Sequence, residues 1–129
     1  MVNKDAPIAI VEDSPPIRKL FSTVLKKAGF NTIEFENASA ALEGLKNQEV
    51  STILLDILLP DKNGTELIED LRSIKNYKDI PIIAVTGFAL SSDQQKFMKL
   101  GFDGFIAKPV NIASFASEIT DIRSNKFDN

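Results

Sequence analysis

The chain has 129 residues, 43% of them hydrophobic and 26% charged, with a formal net charge of −3. That length and balance suit one folded domain with a sizeable core, and the slight negative charge offers no basic field for nucleic acid or an anionic membrane. With no cysteine and no histidine, disulfides, the usual zinc sites and histidine-based catalysis are excluded, so any chemistry falls to carboxylates, hydroxyls, lysines and backbone.

Met1–Ala6 lacks the apolar core of a signal peptide, and no apolar run approaches the roughly 18 residues of a membrane span, so a cytoplasmic location is expected. Pro7–Val11 is the first apolar run and predicts a strand that closes on two acids, Glu12 and Asp13. Ser14 then suits an N-cap, with Pro15 at the first helical position, where its missing N–H costs nothing. Ile17, Leu20, Phe21, Val24 and Leu25 follow at amphipathic-helix spacing, with Lys26 and Lys27 in the last turn and Gly29 beyond it.

Thr32–Phe35 predicts a short second strand, and Ala38 to about Gln48 a second helix, weakened by Gly44 in its middle. Thr52–Leu55 is apolar or β-branched throughout rather than alternating, as in a strand buried on both faces. It ends in Asp56, and Pro60 and Asn63-Gly64 supply turn chemistry. Leu67, Ile68, Leu71 and Ile74 mark a third helix that stops before the polar segment Lys75–Asp79. Pro81–Val85 is a fourth strand ending in Thr86-Gly87, and Ser91–Leu100 a fourth helix closed by Gly101. Phe105–Ala107 is a brief fifth strand ending at Lys108-Pro109. Ile112, Phe115, Ile119 and Ile122 line a last helix from near Asn111, followed by a polar tail, Ser124–Asn129, expected to fray.

Five strands alternating with five helices predict a single α/β domain, a doubly wound parallel sheet with helices on both faces. In such a sheet the carboxyl ends of the strands share one edge, where open α/β folds place their ligands. That edge would collect Glu12, Asp13, Asp56, Thr86 and Lys108. Each has an ordinary explanation singly: a turn or capping acid, a strand-ending threonine, a surface lysine. Together they form a coherent set. Crowded carboxylates call for an oxygen-seeking divalent cation such as Mg²⁺. A carboxylate can also accept a phosphoryl group as nucleophile, and a lysine and a hydroxyl can meet its oxygens.

On these residues the chain resembles the receiver domain of bacterial response regulators, with a CheY-like, flavodoxin-like fold. The pattern is Glu12-Asp13, then Asp56 with Pro60 and Gly64, then Thr86-Gly87, then Lys108-Pro109, and it covers about Ile8 to Ile122. The resemblance implies strand order 2-1-3-4-5 and a core of about residues 7–123. It implies Asp56 as phosphoacceptor, and Glu12, Asp13, Asp56 and the backbone carbonyl of Leu58 as Mg²⁺ ligands. Lys108 would pair with the phosphoryl group, ahead of a cis bond to Pro109. Thr86 and Phe105 would form the switch, although Phe105 also reads as an ordinary packed aromatic and lacks the hydroxyl that many members carry. Leu58 is apolar where some members carry a polar residue that affects phosphate lifetime.

The implied function is a single-domain response regulator of a two-component system or phosphorelay, and not a turnover enzyme. It would take its phosphoryl group from a histidine kinase or a histidine phosphotransfer protein. It would signal to a downstream protein through the face of the fourth helix, fifth strand and fifth helix, as a monomer or weak homodimer, with Phe88, Leu90 and Phe102 reading equally as candidate contacts or as residues buried under the fourth helix. Thr86–Val110 is similar to stand-alone DivK-like regulators and to receivers of hybrid kinases. The rivals are a pseudo-receiver that never takes phosphate, a receiver excised from a hybrid kinase, and an aspartate-nucleophile phosphatase. The last needs a further acid where Leu58 stands.

Overall fold

In the computed structural model, residues 3–74, 77–87 and 91–127 are described, the side chains of 91–93 excepted. They form β1 (Ile8–Val11), α1 (Pro15–Lys27), β2 (Thr32–Phe35), α2 (Ala38–Leu45), β3 (Thr52–Asp56), α3 (Gly64–Ser73), β4 (Ile82–Thr86), α4 (Ser91–Leu100), β5 (Gly104–Ala107) and α5 (Ile112–Phe127). The strands make one parallel sheet in the order β2-β1-β3-β4-β5, as the resemblance implies. β1, β3 and β4 are buried along their whole length, which is why these runs are apolar at successive positions instead of alternating.

The alternation of side chains across the sheet divides the core in two. Ala9, Val11, Ile53, Leu55, Ile82 and Ala84 face one way and meet Ala41 and Leu45 of α2, Leu67, Ile68 and Leu71 of α3, and Phe97 of α4. Ile8, Ile10, Leu54, Ile83 and Val85 face the other way and meet Phe21 and Leu25 of α1 and Phe115 and Ile119 of α5. On that second side the rings of Phe21 and Phe115 stack at 4.7 Å and tie α1 to α5.

Local signals account for the helix starts. The Ser14 hydroxyl accepts the Ile17 N–H at 3.4 Å, and Asn37 and Asn63 accept the Ala40 and Thr65 N–H groups at 2.8 and 3.0 Å. Two glycines are required by close approach. A Cβ on Gly64 would lie 2.8 Å from the Asp56 carbonyl oxygen, and one on Gly44 would lie 2.4 Å from the Phe35 ring. The mid-helix glycine that weakens α2 is thus the seat of the β2 aromatic.

Strand ends shift by a residue at β1, β4 and β5, and two boundaries differ from the sequence reading by more. α2 stops at Leu45 rather than near Gln48, because the Gly44 carbonyl already takes the Lys46 and Asn47 N–H groups in a tightened turn. The C-terminal tail does not fray at Ser124: α5 runs on to Phe127. Phe127 receives the Lys4 ammonium and the Arg123 guanidinium over its ring, at 5.3 and 5.2 Å, and Lys126 pairs with Asp103 at 3.0 Å. Lys4 and Asp103 lie far away in sequence, so composition alone could not announce them. No described helix is long and apolar enough to cross a membrane.

Candidate functional site

Register decides which side chains meet. Val11 pairs with Leu55 and Asp56 with Val85, so Glu12 emerges beside Asp56 at the end of the two central strands. Thr86 pairs with Ala107, which brings Lys108 out next to them from β5. Glu12, Asp56 and Thr86 are buried, Asp13 is exposed and Lys108 lies between. One carboxylate oxygen from each of Glu12, Asp13 and Asp56 falls within 4.8 Å of the others.

The pairings inside this cluster are specific. Lys108 Nζ lies 2.7 Å from Glu12 Oε1 and 3.3 Å from Asp56 Oδ2. The remaining oxygens turn to backbone: Glu12 Oε2 accepts the Ser14 N–H at 3.1 Å, and Asp56 Oδ1 accepts the Leu58 N–H at 3.1 Å. Burial works to discharge the Lys108 ammonium, but its hydrogen bond to Glu12 and the nearby Asp56 charge outweigh burial and hold its pKa above the usual lysine value. The Lys108–Pro109 bond is cis, and the Lys108 N–H donates to the Thr86 carbonyl at 2.8 Å, tying β5's exit to the end of β4.

Three carboxylates against one ammonium leave the cluster net negative. All-oxygen donors in so small a space fit a hard divalent cation far better than a soft one. The loop after Asp56 is fixed around the same point. Leu58 and Asn63 form an isolated bridge, and the Gly64 N–H donates to the Ile57 carbonyl at 2.7 Å. Leu58 itself stands 56% exposed beside the cluster.

The structure therefore brings Glu12, Asp13, Asp56, Thr86 and Lys108 to one edge. Phe105 sits one strand position before Ile106, half-buried against the α2–α3–α4 side of the core. Phe102 is not an exposed contact: it is buried, edge-on to Phe97 at 5.8 Å. Phe88 and Leu90 lie outside the described residues.

Two residues near the site escape sequence reasoning. Arg18 Nη1 donates to the Glu12 carbonyl at 2.8 Å, while its Nε lies 3.4 Å from Glu34 Oε1 on β2. Asp61 accepts the Ala38 and Ser39 N–H groups at 2.9 and 3.0 Å, pinning the β3–α3 loop to the start of α2. Those N–H groups pull the Asp61 carboxyl below its ordinary range. Its partners are 23 and 22 residues away, so no local pattern signals the contact.

Comparison with known proteins agrees with this geometry. The family model for the response regulator receiver domain matches residues 8–120. The polar-differentiation response regulator DivK of Brucella anthropi is 33% identical over 112 residues, covering 87% of this chain and 91% of that protein. Among solved structures, the chemotaxis response regulator CheY4 of Vibrio cholerae superposes with a TM-score of 0.86 at 25% identity, covering 91% of this chain and 98% of that one. The receiver domain of the sensor histidine kinase PA1611 from Pseudomonas aeruginosa, solved with a magnesium ion coordinated in its active-site cleft, gives 0.80 at 26% identity, covering 96% and 98%.

Proposed function

The chain belongs to the response regulator receiver domain family of two-component signalling, and from that premise we propose that Asp56 is its phosphoacceptor. The observation that carries this reading is the convergence of Glu12, Asp13 and Asp56 within 4.8 Å, with Lys108 bonded to two of them. A carboxylate oxygen of Asp56 attacks the phosphorus of a phosphohistidine on a histidine kinase or phosphotransfer protein. The new O–P bond forms as the P–N bond breaks, and the electron pair stays on the imidazole.

Glu12, Asp13, Asp56 and the Leu58 carbonyl would hold Mg²⁺, which when bound neutralises charge on the phosphoryl oxygens. The chain's own residues do the rest. Lys108 supplies a point charge to a phosphoryl oxygen, and the Thr86 hydroxyl donates to another. The buried strand ends keep Asp56 largely out of bulk water. Drawing Thr86 toward Asp56 makes room for Phe105 to turn inward and alters the face of α4, β5 and α5, where a downstream protein docks. Leu58, apolar and exposed, has no side-chain group to activate water on the aspartyl phosphate.

The test is phosphorylation with acetyl phosphate and Mg²⁺, read as an intact-mass shift of one phosphoryl group. The wild type is expected to shift only with Mg²⁺, and Asp56→Asn not at all. Failure with acetyl phosphate and with a cognate kinase alike would make the chain a constitutive binding module instead.

A further inference from the structure

Glu12, Asp13 and Asp56 are held in unlike ways. Glu12 and Asp56 are buried, and each spends one carboxylate oxygen on a backbone N–H, from Ser14 and Leu58 respectively. Asp13 is exposed, so its carboxylate comes within 4.8 Å of the other two only as accurately as its backbone is placed. One residue bonds both flanks of Asp13. The Arg18 guanidinium donates to the Glu12 carbonyl at 2.8 Å, and the Arg18 backbone N–H donates to the Ser14 carbonyl, also at 2.8 Å. The second bond is the ordinary first turn of α1; the first needs a side chain that reaches back six residues. β2 completes the frame, since the Glu12 N–H donates to the Phe35 carbonyl at 3.1 Å.

We propose that Arg18 is a positioning residue for the cation site: by holding the Glu12–Asp13 peptide it aims Asp13 at the point that Glu12 and Asp56 share. A planar guanidinium suits this task. It turns Nη1 to the carbonyl while its Nε faces Glu34 Oε1 at 3.4 Å, a division that a single ammonium reproduces poorly. Glu34, on β2, also offsets a positive charge that would otherwise repel a cation near by. With its side chain 18% exposed, Arg18 is not a freely solvated surface charge. Without its bond to the Glu12 carbonyl, Asp13 would have to be ordered at the moment of cation binding, and that ordering lowers affinity. This role presupposes cation binding by Glu12, Asp13 and Asp56, as proposed above.

The experiment is calorimetric titration of Mg²⁺ into the wild type, Arg18→Met and Arg18→Lys. Met and Lys are good helix formers, so α1 is expected to fold in both variants, and urea denaturation checks that it does. Positioning and charge predict opposite signs. Removing a positive charge alone would tighten Mg²⁺ binding, whereas losing the positioning bond weakens it. Arg18→Met is expected to bind about tenfold more weakly, the usual effect of removing a partner behind a metal ligand, and Arg18→Lys to fall between it and the wild type. Without Mg²⁺, the backbone order parameter of Asp13 from NMR relaxation should drop in Arg18→Met while that of Leu58 holds. Unchanged or tighter binding by Arg18→Met, or an unchanged Asp13 order parameter, overturns the positioning role and leaves the cation site standing. Absence of Mg²⁺ binding in the wild type overturns the cation site, and the role of Arg18 with it.

Discussion

The two edges of the sheet treat charge in opposite ways. At the amino edge, Arg123 of α5 is buried, yet every direction it faces is answered. It donates to the Ser51 and Thr52 hydroxyls and to the Lys4 carbonyl, and its guanidinium lies over the rings of Phe30 and Phe127 at 5.0 and 5.2 Å. Asp103 there takes Arg72 at 2.8 Å, Lys126 at 3.0 Å and the Ile82 N–H at 2.9 Å. At the carboxyl edge three acids cluster, and Lys108 pairs with two of them, Glu12 and Asp56. Charge at the first edge is matched and holds elements together; charge at the second is left in excess, at a cost to the fold, and is available to a ligand.

The sharpest way to separate the two is to truncate one charge at each edge. Arg123→Ala removes the donor to two hydroxyls and a carbonyl, along with two cation–π contacts, so it should cost about 3 kcal/mol of stability in urea denaturation. Mg²⁺ affinity should not follow. A smaller and opposite pattern is expected at the other edge. Asp13→Asn removes a carboxylate that repels its neighbours, so stability should hold or rise slightly, while Mg²⁺ binding weakens by at least about tenfold. If Arg123→Ala also loosened Mg²⁺, the edges would be coupled through β3, which carries Thr52 at one end and Asp56 at the other.

What the sequence exposed and what it hid follow the same division. The acids at the carboxyl edge were legible because each ends a strand whose apolar run is itself conspicuous, and parallel topology then forces those ends together. The strand order needed the resemblance, since right-handed crossovers alone admit several arrangements. Arg123 reads in sequence as a polar residue near the end of a helix, and Phe127 as part of a frayed tail. Their importance comes from Lys4, Phe30 and Ser51, partners scattered along the chain that only the fold assembles. Phe102 shows the converse: its sequence reads equally as a surface contact or as a residue buried under the fourth helix, and the turn after α4 settles it by packing the ring edge-on to Phe97.

Asp61 tests the comparison most finely, because it lies on the carboxyl edge and yet is matched like a charge of the amino edge. Its two oxygens accept the Ala38 and Ser39 N–H groups at the positive end of α2, and these bonds lower its pKa. A carboxyl whose folded pKa lies below its unfolded one stabilises the fold above the unfolded value, near pH 4. That contribution disappears as pH falls through the lower folded value. Asp61→Asn should therefore melt slightly below the wild type at neutral pH, and the gap should close in strong acid. The group is exposed, so this is the smallest of the effects, and thermal melts across the acid range are the measurement. Mg²⁺ affinity at neutral pH decides the rest. If Asp61→Asn weakened it as much as Asp13→Asn does, Asp61 would belong to the unbalanced cluster, and matched charge would no longer distinguish scaffold from site.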